Sequence, residues 1–422
     1  MFDQVVTRRA EEVVRDLLLD EPVVALHGPR SVGKSTLLRR VADEHGVGVV
    51  DLDAPIERDA AGANPMLTVA GPRPVCVDEY QRVPVLLDAL KARLNSQGAI
   101  PGTAILTGST RHDALPMTAQ ALTGRFHSLV LWPLSQGEIA NVHENLLEYL
   151  FEAPSDAVAA HPRSETERAQ YVERLVVGGF PIAMTWSSER SRSRWFDNYV
   201  RQSTERDAAQ LSRLRQRHLL AEALARLAGR TGQVLNIANL AQDLKASWDT
   251  VESLIRLLED LFLVARLPAW GKTLTSRATG SPKIHIVDSG LAARLMRVSP
   301  TKLAAGDAAT LTEFGHLVET FVVGELRKQA SWLDVPVTLG HWRTADVAEV
   351  DLIIEHDDGR VLAFEAKAAE RVSSRDFSGL TTLRERLGNR FVAGVALTMG
   401  PRSYTYADRL HVMPIDRLWT PI

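Results

Sequence analysis

Residues 23–36 read VVALHGPRSVGKST, a short apolar run followed at once by Gly-x-x-x-x-Gly-Lys-Ser. The run Val23 to Leu26 predicts a buried parallel strand, and the motif after it is a phosphate-binding P-loop. A loop of Gly28, Pro29, Arg30, Ser31, Val32 and Gly33 turns its backbone N–H groups inward around the phosphates of a nucleotide. Glycine is needed at both ends, because a Cβ would meet the tight turn or the phosphate. Lys34 supplies a point charge for the β- and γ-phosphates, the Ser35 hydroxyl can ligate Mg²⁺, and Thr36 completes the motif. The helix opening at Lys34 carries an apolar face of Leu37, Leu38 and Val41, and its positive dipole end faces the same anion. Lys34 is expected to be an exposed donor with no packing role until phosphate arrives. A glycine-rich turn matching by chance is the bland alternative; the strand before it and the amphipathic helix after it argue against that.

Four more apolar runs follow at 47–53, 73–80, 103–109 and 126–134, separated by helical stretches, which predicts a parallel sheet with crossover helices. The run at 73–80 ends in Asp78-Glu79, an acidic pair where an open α/β sheet binds its ligands. Asp78 is the expected Mg²⁺ ligand, through water or through Ser35, and Glu79 the group that orients and polarises the attacking water. A solvated strand end is the alternative. Thr107 and Ser109 close the next strand, where small polar residues can sense a γ-phosphate. Arg125, just before the fifth strand, is a candidate finger toward a γ-phosphate in the same or a neighbouring subunit, with a surface ion pair as its alternative and Arg111 as a weaker competitor.

At 422 residues the chain is long enough for two to four domains, and 45% hydrophobic with 24% charged residues is an ordinary globular balance. A net charge of −3 gives no global pull toward nucleic acid or anionic membrane, so such binding must come from a local patch. The single cysteine, Cys76, excludes an internal disulfide and fits a reducing cytoplasm. No apolar run reaches membrane-spanning length and no signal-type segment opens the chain, so the expectation is a soluble cytoplasmic protein.

The segments GPRSVGKST, VDLDAP, VCVDEYQRVP, ILTGST and LTGRFHSLVLWPLSQGEI, in this order, resemble the bacterial and archaeal AAA-type ATPases that carry a C-terminal domain of unknown function, number 4143. The resemblance extends across the whole chain and implies ATP and Mg²⁺ as cofactors. Tyr80 departs from it, standing where an aliphatic residue is common, and is expected to matter little.

Between about 137 and 215 the pattern is helical, broken by Gly178-Gly179-Phe180-Pro181, a turn the family shares. The following stretch carries Arg190, Arg192, Arg194, Arg201, Arg206, Arg213, Arg215 and Arg217 against only four acids. It is either a phosphate-binding surface or a solvated helix face docked on acidic neighbours. Arg206-Asp207 matches a family pair and can instead bridge the ATPase to the next part of the chain. Residues 218–270 predict a winged helix, with its third helix carrying Val251, Leu254, Ile255, Leu258 and Leu261 on one face and wing strands from Phe262 to Trp270. The exposed start of that helix, Ser247, Trp248, Asp249, Thr250 and Glu252, is acidic, which makes it a poor reader of a DNA groove.

PKIHIVDSGLAARL at 282–295 again matches the family. A helix containing Glu319 precedes a predicted hairpin in which Asp351 heads one strand and Glu365-Ala366-Lys367 closes the next. This spacing resembles the PD-(D/E)xK nuclease superfamily, the restriction-endonuclease-like fold. Alternation puts Glu365 and Lys367 on one face, with Asp351 beside them. Two carboxylates so placed can hold Mg²⁺ or Mn²⁺, with Glu319 as a third acid and Lys367 orienting a metal-bound water. A salt-bridged cluster neutralised by Lys367 is the competing reading.

The sequence therefore predicts an α/β chain of four parts: a P-loop AAA-type ATPase domain at 1–136, a helical lid at 137–217, a winged helix at 218–275 and a nuclease-like domain at 276–422. Expected ligands are ATP with Mg²⁺, a second Mg²⁺ or Mn²⁺ at the carboxyl end, and DNA or RNA on the middle and C-terminal parts. No membrane is expected, and a trans-acting Arg125 implies a homo-oligomer. Two functions fit. One is an ATPase whose nucleotide state controls a nuclease-like domain; the other is an ATP-gated regulatory protein whose C-terminal fold binds nucleic acid or protein without cutting.

Overall fold

A computed structural model describes residues 6–111, 122, 124–211, 217–271, 280–304, 308–344 and 348–422. Five parallel strands, β1 (Val23–His27), β2 (Val49–Asp51), β3 (Val75–Asp78), β4 (Ala104–Gly108) and β5 (Phe126–Val130), form one sheet in the order β2-β3-β4-β1-β5. All five candidate strands are present. The first is buried on both faces: Val24 and Leu26 pack into one apolar cluster while Val23 and Ala25 pack into another. That is what a continuous apolar run means in a sheet covered by helices on both sides. The fifth run stops at Val130 rather than 134; the chain turns away there, and Arg8 takes the carbonyl of Trp132 at 2.7 Å.

The middle begins with short helices and the turn at Gly178-Gly179, where two close approaches require glycine. A Cβ on Gly179 would stand 2.2 Å from the Leu134 carbonyl oxygen, and one on Gly178 would stand 2.4 Å from Asp288 Oδ1. The arginine-rich helix spans Glu189–Arg201 and continues as a π-helical turn, Gln202–Asp207. Arg213 and Arg215 lie outside the described residues, as does the side chain of Arg217. Arg294 holds Asp197 through two contacts of 2.8 and 2.6 Å, so part of this helix is docked on its neighbour.

Helices Leu220–Ala228, Ile237–Leu244 and Trp248–Asp260 follow, with β6 (Gln233–Val234) after the first. Val251, Leu254, Ile255 and Leu258 are fully buried and Leu261 nearly so, as their spacing requires. The strand part differs from expectation. Only one strand, β7 (Val264–Leu267), falls within 262–270; its antiparallel partner is β8 (Lys283–Ile286), which also pairs with β6. The sheet order is β6-β8-β7, so a strand grouped by sequence with the C-terminal part completes the middle sheet. Local pattern could not show this, because the pairing is made by residues far apart along the chain.

The C-terminal part is a six-stranded mixed sheet of β9 (Val337–Arg343), β10 (Glu349–His356), β11 (Val361–Lys367), β12 (Phe391–Thr398), β13 (Tyr404–Ala407) and β14 (Leu410–Pro414), in the order β13-β14-β12-β11-β10-β9. The hairpin is present: β10 and β11 run antiparallel with Leu352 opposite Phe364. Helix Ala308–Ala330 covers one face, with Leu352, Ile354, Leu362 and Phe364 in the same apolar cluster that reaches β1. Helix Ser378–Leu387 crosses the other face between β11 and the parallel β12. Among the described residues, no helix is long and apolar enough to cross a membrane.

Candidate functional site

The loop after β1 is built as the motif requires. Gly28 and Gly33 have φ of 146° and 99°, and a Cβ on Gly28 would stand 2.2 Å from the Leu131 carbonyl oxygen. Ser31 also adopts a positive φ of 64°, which curls the loop. Helix Lys34–His45 opens directly from Gly33. Lys34 is not the exposed donor the sequence suggested. Its side chain is buried, and Nζ donates to the carbonyls of Gly28 at 2.9 Å and Pro29 at 2.7 Å. Burial pushes its pKa down to about 8, against the opposing pull of Glu79 and Asp78. Arg8 braces the loop from outside, with 2.6 Å to the Val32 carbonyl and 2.9 Å to Glu138.

A cavity of about 380 Å³ opens on this loop, lined by Arg30, Ser31, Gly33, Lys34, Ser35, Thr36 and Glu79. Its far wall comes from the middle of the chain: Pro181, Ile182, Tyr199, Gln202 and Ser203. The volume lies in the range of small-ligand sites. The glycine cradle and the ammonium at its centre fit a polyphosphate.

Asp78 and Glu79 stand at the C-terminal end of β3, beside the loop. Thr107 donates to Asp78, and the Glu79 N–H reaches back to the Thr107 hydroxyl at 3.4 Å. Glu79 has φ of 56°, a conformation a non-glycine residue holds only when its surroundings enforce it. Its carboxylate accepts from Ser109 at 3.0 Å and from Gln81. Asp78, Glu79, Thr107 and Ser109 therefore form one buried polar network, as their order along the strands implied. Tyr80 matters more than expected: its hydroxyl bonds His27 Nε2 at 2.8 Å, and His27 Nδ1 bonds Ser128 at 2.8 Å, tying β1 to β5 and to the turn after β3.

Arg125 is not in this cavity. Phe126 pairs with Val23 at the N-terminal end of β1, whereas the loop leaves the C-terminal end. Arg125 instead donates to Asn95 at 2.7 Å. A role toward a γ-phosphate in its own chain is excluded by that separation. Arg111 docks elsewhere too, its guanidinium 5.5 Å from the Phe262 ring.

The far wall of the cavity is held by contacts with the rest of the chain. Arg30 and Asp207 form an ion pair at 2.8 Å. The Gly179 N–H donates to Asp288 Oδ2 at 2.7 Å, and Asp288 also caps the next helix through the Leu291 N–H at 2.9 Å. The Leu134 N–H donates to the Gly179 carbonyl at 2.8 Å, and Lys328 donates to the Leu134 carbonyl at 3.0 Å. The wall is thereby tied to β8 and to the long C-terminal helix.

The C-terminal acids are also brought together, around an atom the sequence did not single out. Lys283 Nζ lies 2.8 Å from Glu319 Oε1, 2.7 Å from Glu349 Oε1 and 2.9 Å from Asp351 Oδ1, and the lysine is 1% exposed. Burial alone would lower its pKa; the carboxylates of Asp351, Glu319 and Glu349 outweigh that and raise it. Asp351 Oδ2 accepts the Ala366 N–H at 3.0 Å, and Lys367 pairs with Glu365 at 2.8 Å. Burial, then repulsion from Asp351, pushes Glu365 up to about 8. Among the described residues no group of three or more His, Cys, Asp or Glu side chains is arranged to hold a metal ion. The reading of Glu319, Asp351 and Glu365 as ligands of one metal is corrected accordingly: an ammonium stands among them. The only signal in the sequence was the Pro-Lys that opens 282–295, and nothing local tied that lysine to three acids on two other elements.

Three family models match the chain: an AAA domain over residues 20–140, a domain of unknown function (DUF8612) over 168–302 and another (DUF4143) over 314–418. Over 416 residues the chain is 29% identical to two proteins described as uncharacterized, Rv2008c of Mycobacterium tuberculosis and Mb2031c of Mycobacterium bovis; the match covers 98% of this chain and 84% of each relative. Among solved structures, the Walker-type ATPase PABY2304 of Pyrococcus abyssi aligns with a TM-score of 0.43 at 16% identity, over 69% of this chain and 96% of that one. AMPPCP-bound DnaA from Aquifex aeolicus aligns with a TM-score of 0.24 at 16% identity, over 60% of this chain and 88% of that one. The N-terminal part of the chain matches the model of an AAA domain and its C-terminal part the model of DUF4143, the combination found in the AAA-type ATP-binding proteins that its motifs resemble.

Proposed function

We propose that the chain binds and hydrolyses ATP and passes its nucleotide state through the cavity's far wall to the C-terminal half. The observation that carries this is Glu79: held in a left-handed conformation directly after β3, it lines the same cavity as Lys34. In this reading the backbone N–H groups of the loop from Arg30 to Gly33 and the Lys34 ammonium would hold the β- and γ-phosphates, with Ser35 and Asp78 holding Mg²⁺. Bound there, Mg²⁺ would neutralise charge on the phosphates. Glu79 accepts a proton from the attacking water, Ser109 fixes the carboxylate's orientation, and Thr107 fixes that of Asp78. Glu79→Gln is the test. The amide keeps the shape and loses the base, so ATP should still bind while turnover falls by at least a hundredfold. Loss of binding with turnover per bound ATP unchanged would remove Glu79 from the chemistry.

The order helix–strand–helix–helix–strand–strand with the β6-β8-β7 sheet supports a winged helix, and the order helix–three strands–helix–strand in the C-terminal sheet supports a restriction-endonuclease-like fold. With β8 in the middle sheet, we place the boundary between these two parts after 302 rather than at 276. Of the two functional readings, the one without cleavage is favoured by Lys283 among the acids. Incubating the purified protein with plasmid and single-stranded substrates, with Mg²⁺ and with and without ATP, separates them.

A further inference from the structure

Four carboxylates converge at the junction of β8, the long C-terminal helix and the β10–β11 hairpin: Glu319, Glu349, Asp351 and Glu365. Three of them surround one ammonium within 2.7 to 2.9 Å. Two of these contacts, to Glu319 and Asp351, are charge-assisted hydrogen bonds, and the third, to Glu349, is an ion pair. Glu319 and Asp351 are buried, while Glu349 is partly exposed and closes the group on its solvent side. Glu365 stands beside Asp351, its Oε1 held by Lys367 and its Oε2 buried with no hydrogen-bond partner among the described residues. Gly232, with φ of 75°, passes so close that a Cβ there would stand 3.1 Å from Glu319 Oε2. The pocket is therefore closed around the lysine.

We propose that Lys283 is the resident cation of this cluster, that it occupies the position a divalent metal would need, and that the C-terminal domain is thereby kept without metal-dependent hydrolytic chemistry. A divalent cation and an ammonium that donates to Glu319 and Asp351 cannot share one set of oxygens, since each needs the same lone pairs and the two repel. Lys283 cannot swing aside as a surface lysine would. It belongs to a strand paired on both sides, to β6 and to β7. Five residues on, Asp288 fixes the same segment to the Gly179 turn over the nucleotide cavity. The lysine thus also fastens the middle sheet to the C-terminal one. The absence of cleavage rests on the endonuclease-like reading of the fold; the exclusion of metal rests on the ion-pair geometry alone, and the two are measured separately.

The test is Mn²⁺ binding to nucleotide-free full-length protein, followed by the paramagnetic resonance of free Mn²⁺. Wild type and Asp351→Asn should take up Mn²⁺ identically, with no equivalent assignable to the cluster. Lys283→Met should gain one site at least tenfold tighter than anything in the wild type, and Lys283→Met with Asp351→Asn should lose it. Because Lys283→Met leaves buried acids without a counter-charge, Lys283→Met with Glu349→Gln serves as a milder opening and should gain the same site. A wild-type Mn²⁺ equivalent that Asp351→Asn abolishes overturns the proposal, as does the absence of any gained site in a folded opened variant. Plasmid cleavage in Mn²⁺ is read in parallel. Mn²⁺ gained without cleavage leaves the proposed metal exclusion standing and removes the endonuclease-like reading of the site.

Discussion

Arg30 in the P-loop and Asp207 at the end of the π-helical turn form an ion pair, Arg30 Nε standing 2.8 Å from Asp207 Oδ2. Gln202 and Ser203 of the same turn line the cavity, so this pair links phosphate loop and far wall directly. A triphosphate arriving at the loop competes with Asp207 for the Arg30 guanidinium and is repelled by the carboxylate. Asp207→Asn is therefore expected to tighten ATP binding by about three- to tenfold, roughly 1 kcal/mol, the scale of a partly exposed ion pair. Titration with a fluorescent ATP analogue measures it. Unchanged or weaker affinity would mean that Asp207 only holds the wall in place.

Lys34→Ala removes two hydrogen bonds to loop carbonyls and also removes a buried cation. The two effects oppose each other, so the loss of stability should be about 1–2 kcal/mol rather than negligible. The larger consequence is for the ligand: ATP should no longer raise the melting temperature. A variant with wild-type turnover would remove the phosphate site from the P-loop.

How much the sequence made legible depends on how local each feature is. The P-loop, the acidic pair and the five strands are written in contiguous residues, so the positions of Gly28, Lys34, Asp78 and Glu79 at the loop and the end of β3 were legible before any contact was known. Arg125 was put near the phosphate against a signal the sequence did hold: a residue just before a strand of a parallel sheet lies at its N-terminal end, away from the end where the P-loop leaves β1. Lys283 was invisible as a site residue for a different reason: its partners lie on a helix and two residues of a later strand, and β8 read as part of another domain. The far wall was half visible, through the Gly178-Gly179 turn and Arg206-Asp207, but their meeting with Leu134, Asp288 and Arg30 is purely tertiary.

Arg125 stands at the edge of the sheet away from its own cavity. If it serves a neighbour's γ-phosphate, Arg125→Ala alone and Lys34→Ala alone should both be inactive, while a mixture recovers part of the activity. One mixed interface then pairs an intact loop with an intact arginine. Full activity of Arg125→Ala by itself, or a monomer by light scattering with ATP present, removes the finger and leaves the contact with Asn95 as the residue's role.

Glu144 gives a pH dependence that can be isolated. Its side chain lies under Gly137, where a Cβ would stand 2.0 Å from Glu144 Cδ; Ser135 donates to one oxygen, and the other is buried without a hydrogen-bond partner among the described residues. Burial pushes its pKa from 4.5 up to about 7; the Ser135 hydroxyl partly offsets this, and Glu325 and Glu138 add repulsion. The sign comes from linkage. Between these two pKa values the folded state keeps a proton that the unfolded chain has released, so stability falls as pH rises. The contribution is complete below about pH 4.5 and is lost once pH passes about 7. The loss corresponds to about 3 kcal/mol at most. Glu144→Gln keeps the shape and cannot ionise, so it should match the wild type near pH 5 and exceed it by about 1–3 kcal/mol at pH 8. Urea unfolding of both proteins at the two pH values makes the comparison, and taking the difference cancels every other titrating group. Parallel stabilities at both pH values would show that Glu144 is already ionised in the fold, with its second oxygen satisfied by water.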